Sequence, residues 1–482
     1  MPASALRLRI GIVSALTLAG PSLPAQPPAR GEMPGPLPAG LTKGWRDAGA
    51  DVGWTRVIHQ YATVTFEQKA EPGHVPAFQF GVWKDGRVAK LPAPDVPFAL
   101  DLSGTKVTDV GLRELAAFEQ LTSLNLSGTK VTDVGLREIS PLTRLTTLSL
   151  DRTSVTDEGL KELARLTQLT TLKLYRTAVT DAGLKGLAPL TRLTTLVLHE
   201  TKVTDAGLTA LAPLKQLAML QLSDSVMTDD GLKTLRGIGL LHALSQGYSA
   251  DVRLGGRPAK PEDVVYLSLD RTKVTDAGLR ELSPLTRLAR LTLVRTPVTG
   301  AGLKELAPLT QLTSLDLSDS PVTDAGLKGL APLTQLTKLR LTGTKVTGTG
   351  LRELAPLTRL TSLELSDTQV TDAALKGLRE IGLLHALDQA AAATRGRAAK
   401  PEGVACLDLS GTPVTDAGLK ELAPLTRLTT LRLDRTPVTD AGLKELAAHA
   451  MLESLSLYGT KVTKAGVLGL RKALPKCDIA GP

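Results

Sequence analysis

The sequence predicts an α/β fold of the solenoid kind, with one short strand and one short helix in every coil. Three observations predict it. The segment LTSLNLSGTKVTDVGLREISPLTR (121–144) aligns with LTTLSLDRTSVTDEGLKELARLTQ (145–168), a period of 24 residues. Fourteen copies start at 97, 121, 145, 169, 193, 217, 264, 288, 312, 336, 360, 404, 428 and 452. Of the 482 residues, 42% are hydrophobic but only 3% aromatic, which argues against several ordinary aromatic-rich cores.

The template reads LxxLxLxxTxVTDxGLxxLxxLxx. Its first part alternates: Leu124 and Leu126 face one way, Ser123, Asn125 and Ser127 the other, as in a half-buried strand. Its second part has helical spacing, with Leu136, Ile139 and Leu142 three apart. Thr132 and Asp133 precede that segment, where their oxygens can cap free N–H groups. Pro141 falls at the helix end, where a missing N–H matters least. A single such unit cannot bury its apolar face, so neighbours must stack.

These copies resemble leucine-rich repeats. The VTDxGLxxL core is similar to the cysteine-containing subclass found in F-box substrate receptors. The likeness spans about 70% of the chain. It implies a right-handed horseshoe with a parallel sheet on the concave face, short helices on the convex face and a protein-interaction role. The ninth position departs from the family's Asn or Cys. It is Thr in twelve copies and Ser in two, Ser225 and Ser320. A buried hydroxyl ladder at the strand-to-loop corner is expected. Position 12 is always Thr, and position 15 is Gly except at Ala374. Features repeated in every copy read as scaffold.

The register breaks at 241–263 and 384–403, and the two breaks resemble each other, GIGLLHALSQ (237–246) against EIGLLHALDQ (380–389). Repeat blocks therefore cover 97–240, 264–383 and 404–475, with a closing segment at 476–482. Extended helices are expected around 237–246 and 379–389. Basic loops should follow, carrying Arg253, Arg257 and Lys260 in one and Arg395, Arg397 and Lys400 in the other. The breaks read either as degenerate repeats or as hinges, a continuous or slightly kinked stack being favoured.

Residues 1–25 read as a signal peptide: Arg7 and Arg9 precede the apolar run Ile10 to Ala19, and Ala25 offers a cleavage point. Export to the envelope or secretion follows. A Pro/Gly-rich linker occupies 26–40. Residues 41–96 concentrate the aromatics, including Trp45, Trp54, Phe78 and Trp83. YATVTF (61–66) and FQFGVW (78–83) alternate as strands, so a small β-rich N-terminal cap is expected. No apolar run reaches the roughly 18–20 residues of a membrane span. Cys406 and Cys477 exclude a disulfide scaffold.

No catalytic or metal motif emerges. Six histidines show no ligand spacing, and there is no P-loop, GxSxG or GxGxxG. The reading is no enzyme, no cofactor and a monomer. The net charge of +9 spreads over mixed-sign helices, so nucleic acid is not the expected partner. Specificity should lie where the template varies, at strand positions 3, 5, 7 and 8. Those positions hold Lys173, Tyr175, Arg176, Val197, His199, Glu200, Tyr266, Asp270, Arg271, Arg290, Val294, Arg295 and Arg340. Tyr and Arg often anchor interfaces. The expected role is binding of a protein or other envelope macromolecule. Two alternatives stand beside it. One is a substrate-recognition subunit of a ubiquitin-ligase-type complex, which needs a helical adaptor module in 41–96. The other is a ligand-binding or enzymatic module in that same segment.

Overall fold

The computed structural model describes residues 33–58, 63–64, 66–244, 258–365, 370–387, 390–392 and 398–481. The signal-peptide segment lies outside them. Each 24-residue copy makes one three- to five-residue strand, and these strands pair in parallel and in register. Leu124, Leu148, Leu172, Leu196 and Leu220 form one such row. Together with four strands from outside the copies, these strands form sheets of eight, five and five. The template leucines, almost all under 3% exposed, join one continuous core cluster. Each buried leucine contributes about 1.5–3 kcal/mol, so stacking rather than helix propensity holds the coil.

The helical layer is a mixture of short α-helices and 3-10 turns, such as Asp181–Leu184 followed by Lys185–Leu187. Thr at position 12 caps most of these: Thr132 Oγ1 accepts from Val134 N at 3.3 Å. Asp at position 13 does something the sequence reading missed. It was expected to cap its own helix, but it reaches the next coil. Asp133 Oδ1 accepts from Thr156 N at 2.8 Å and Oδ2 from Thr156 Oγ1 at 2.6 Å. Asp109 with Thr132, Asp157 with Thr180 and Asp416 with Thr439 repeat the pattern. The cap site is already taken by Thr, which leaves the carboxylate free to tie coil to coil.

The same contact explains Gly at position 15. A Cβ on Gly159 would lie 2.3 Å from Asp133 Oδ1, and one on Gly135 2.4 Å from Asp109 Oδ1. The exception, Ala374, follows a coil whose position 13 is Gly348 instead of Asp. The carboxylate and the extra methyl exclude each other.

The hydroxyl row at position 9 is present. Thr129 Oγ1 donates to Leu126 O at 2.7 Å, and ten further threonines do the same to the carbonyl three residues back. Ser320 instead reaches Leu293 O of the preceding coil, at 2.8 Å. The two remaining position-9 side chains, Ser225 and Thr368, lie outside the described ones.

Both breaks interrupt the sheet and spare the helical layer. The strand Met219–Gln221 ends the first sheet and Tyr266–Ser268 begins the second. Yet Asp229 still accepts from Thr275 N at 2.8 Å, and Arg236 meets Glu281 at 3.1 Å. Across the second break, Asp372 accepts from Thr415 N at 2.8 Å and Arg379 meets Glu421 at 2.6 Å. There the added chain enters the strand layer: Leu387 bridges Leu363 in parallel, and Ala390–Ala392 pairs antiparallel with Val404–Asp408. The helices expected around 237–246 and 379–389 end where those spans begin. They are Asp229–Gly237 and Asp372–Glu380. Gly239 (φ 78°) and Gly382 (φ 74°) then close them in the left-handed conformation that favours glycine. Their neighbours Leu240 N and Leu383 N donate back to Leu235 O and Leu378 O at 2.8 Å. Of the expected basic loops, Lys260 and Lys400 are described; the four arginines lie outside the described residues.

At the N-terminal end the structure adds a helix that the sequence reading omitted, Ala39–Asp47. Its Trp45 packs on Phe78 (4.1 Å between centroids), Phe98 and Phe118. Ala50–Thr55 edges the first sheet antiparallel to Val75–Phe80. The expected strand 78–83 is therefore displaced to 75–80. Within 61–66, only Thr63–Val64 is described as strand, paired with Val57–Ile58. One helix followed by strands is not the helical adaptor module that the ubiquitin-ligase alternative requires. At the other end Lys464–Ala473 is the last helix, and Asp478–Ala480 adds a further parallel strand in the 24-residue register.

Candidate interaction surface on the strand wall

Successive coils place equal template positions side by side, about one strand spacing apart. Six of the predicted residues come together on coils four and five. Lys173, Tyr175, Val197 and His199 line a groove of about 360 Å³ with Asp151, Gln221, Leu222 and Asp224. The rings of Tyr175 and His199 stack at 5.8 Å and 12°. The guanidinium carbons of Arg152 and Arg176 lie 5.4 and 5.7 Å from the Tyr175 centroid. Tyr175 Oη donates to Glu200 Oε1 at 3.0 Å, and Arg176 Nε donates to Glu200 Oε2. Val197 is buried among its neighbours and serves as floor.

Charge in this groove is partly desolvated. Burial pushes Lys173 below the usual lysine range, opposed by the nearby Asp151 carboxylate. Burial pushes Asp151 above the usual carboxylate range, opposed by the Tyr175 N–H, Lys173 and Arg152. Burial acts upward on Glu200, but the Tyr175 hydroxyl and Arg176 outweigh it and hold its carboxyl low.

The remaining predicted residues lie beyond the first break. Arg290 stacks over Tyr266 at 5.8 Å and is exposed. Arg295 pairs with Asp319 at 3.0 Å. Asp270 is half-buried and reaches the next coil, its Oδ1 accepting from Val294 N at 2.9 Å. Arg271 is exposed at the strand end. Arg340 is two coils further on and already engaged, with Asp316 at 3.2 Å and Glu364 at 2.8 Å. Its surface is satisfied internally, unlike that of Arg290. Asp151, Gln221, Asp224, Asp316 and Glu364 were not picked out from sequence. They occupy the same template positions and could have been found by reading each row across neighbouring coils.

Position 8 carries a further signal. Arg152, Arg176, Glu200, Arg271, Arg295, Asp319 and Arg435 all have φ between 55° and 59°, where other coils place glycine. A left-handed non-glycine residue costs about 1–2 kcal/mol, so long charged side chains are held at this corner against a backbone preference.

One cluster escaped the sequence reading. His74 Nε2 lies 4.0 Å from Glu67 Oε2 and 3.9 Å from Glu71 Oε2, a group able to face a cation. Glu71 N donates to His74 Nδ1 at 3.3 Å, however. That leaves the neutral ring's proton on Nε2, the nitrogen that would otherwise bind the metal. Buried His242, His385 and His449 lie below the usual histidine range, chiefly through burial.

Among the described residues no helix is long and apolar enough to cross a membrane. The leucine-rich-repeat family model matches residues 99–116, 120–140, 142–164, 309–331 and 405–423. No curated protein matches the sequence. Among solved structures, the chain is similar to an internalin from Listeria monocytogenes, with 20% identity, 92% of this chain and 95% of that chain covered, and a TM-score of 0.41. It is also similar to a leucine-rich-repeat protein of Leptospira interrogans, with 19% identity, coverage of 83% and 99%, and a TM-score of 0.45. A plant peptide hormone receptor is similar at 16% identity, coverage of 88% and 66%, and a TM-score of 0.42. The chain thus contains leucine-rich repeats, and its copies stack with parallel strands and short helices as in a leucine-rich-repeat solenoid.

Proposed function

We propose that this chain is a non-catalytic leucine-rich-repeat scaffold that holds another macromolecule, foremost a protein, on its strand wall. The observation that supports it is a division of labour within the repeat. Position 9 and most copies of positions 12, 13 and 15 are spent on the interior or on ladders between coils. Rings and charges that differ from coil to coil gather on the strand wall, around Tyr175 and His199 and around Tyr266 and Arg290. The basic-then-apolar start at 1–25 supports work outside the cytoplasm. The finer likeness, to F-box-type repeats, rests on the VTDxGLxxL core and extends here to the repeat pattern alone.

Arg271 and Arg290 are exposed, and neither makes an ion pair among the described residues. Reversing both to Glu, with folding checked by circular dichroism, should weaken partner capture from a native envelope extract by about tenfold or more. Capture that survives unchanged would place recognition elsewhere.

A further inference from the structure

The position-7 row of the wall reads Asp151, Tyr175, His199, Ser223. Planar groups gather on it: the Arg152 guanidinium, from the adjoining position 8, lies over the Tyr175 ring, and that ring stacks on the His199 imidazole. The stack stops at His199 because coil six supplies Ser223, whose hydroxyl accepts from Glu200 N at 2.7 Å. Among the described residues Met219–Gln221 is the last strand of this sheet. The groove opens at this rung, against Val197, Gln221, Leu222 and Asp224.

The two ends of the groove differ in charge. Lys173 stands beside Asp151, and Glu200 is engaged by Tyr175 and Arg176. The Asp224 carboxylate makes no hydrogen bond or ion pair among the described residues, although it lines the groove. The vacant rung therefore offers a ring face, an uncompensated carboxylate and the Gln221 amide.

We infer that this rung receives the guanidinium of an arginine presented by a protein partner. Its plane continues the stack on His199, and its N–H edge meets the Asp224 carboxylate. A lysine ammonium matches the charge but cannot stack. A neutral aromatic side chain stacks but leaves the carboxylate unpaired. The inference rests on the strand wall being the binding face and adds the chemistry that one part of it selects.

The test uses the full chain labelled with 13C at histidine. N-acetyl-arginine amide, its neutral isostere N-acetyl-citrulline amide, N-acetyl-lysine amide and N-acetyl-tryptophan amide are titrated while the His199 ring signals are followed. Arginine should shift His199 saturably, with the other three at least about fivefold weaker. Asp224→Asn should bring arginine down to the citrulline level, and Ser223→Tyr, which fills the rung with a ring of the protein's own, should abolish binding. Equal affinity for arginine and any other probe, or arginine binding untouched by Asp224→Asn, overturns the inference. If partner capture depends on Arg271 and Arg290 while the probes show no arginine preference, this inference alone falls.

Discussion

Coils with the full corner motif and the coils that lack it differ by two atoms' worth of space. In the third coil, Asp133 of the coil before bonds Thr156 twice and sits 2.3 Å from where a Cβ on Gly159 would be. At the eleventh, the preceding coil offers Gly348, and the residue in the glycine's place is Ala374. A third variant, Gly300 facing Gly326, has neither carboxylate nor methyl, and a Cβ on Gly326 would lie 2.0 Å from the Gly300 Cα. Positions 13 and 15 of adjacent coils are thus one unit: a carboxylate faces a glycine, and where the carboxylate is missing the coils either admit a methyl, as at Ala374, or come so close that a glycine is needed again, as at Gly326. The glycine is kept for a close neighbour, a carboxylate oxygen at Gly159 and a backbone Cα at Gly326; its own backbone torsion is ordinary.

The largest expected effect is Gly159→Ala, about 2–3 kcal/mol of destabilisation from forced displacement of the carboxylate and of Leu136. Ala374→Gly, the reverse exchange in a coil without the carboxylate, should cost only about 1 kcal/mol, through helix propensity. Denaturant unfolding of the two variants checks the contrast.

Hydroxyls sharpen the comparison between corner and wall. Thr129→Val removes a buried donor from Leu126 O and should cost about 1–2 kcal/mol. Thr147, equally buried in a strand, has no hydrogen-bond partner for its Oγ1, so Thr147→Val should be neutral or slightly stabilising.

Acid should act in two stages. His242, His385 and His449 have folded pKa values lowered by burial, so the unfolded chain binds their protons more readily. Their stabilisation is complete above the unfolded value of about 6.5 and is lost as pH falls below it toward the folded values. In Asp324, burial raises the pKa but the Thr347, Thr349 and Gly350 groups more than offset it; in Asp440 the Thr463 hydroxyl and amide lower it. That second contribution is full above the unfolded value of about 4 and is lost as pH falls through the depressed folded values. Unfolding midpoints from pH 8 to 3 should show both, with Asp440→Asn flattening the lower stage. The smallest effect is on the wall: His199→Ala should change stability by about 0.5 kcal/mol or less while removing any ring-dependent binding.

The solenoid was legible in the sequence because the 24-residue period states it fourteen times over, and strand alternation with helical spacing names both layers. The Thr129-type hydroxyls were legible for the same reason: a buried polar atom needs a partner, and the strand carbonyl is close by. The role of Asp133 was not, because a single coil cannot show that its carboxylate serves the coil after it. The break helices were misplaced because the apolar run GIGLLHAL continues the helical look past Gly239, whose left-handed torsion ends it. Half of the groove was found from Tyr175 and His199 as unusual residues in a Ser/Thr row. Asp224 went unseen because an aspartate at position 8 looks ordinary until the ring stack beside it is known to stop at Ser223.

The most direct measurement is a double-mutant cycle on Asp133→Gly and Gly159→Ala. If coils are coupled through this corner, Gly159→Ala should lose most of its cost once Asp133 is gone, giving a coupling free energy of at least about 1 kcal/mol. Strict additivity of the two changes would contradict the account.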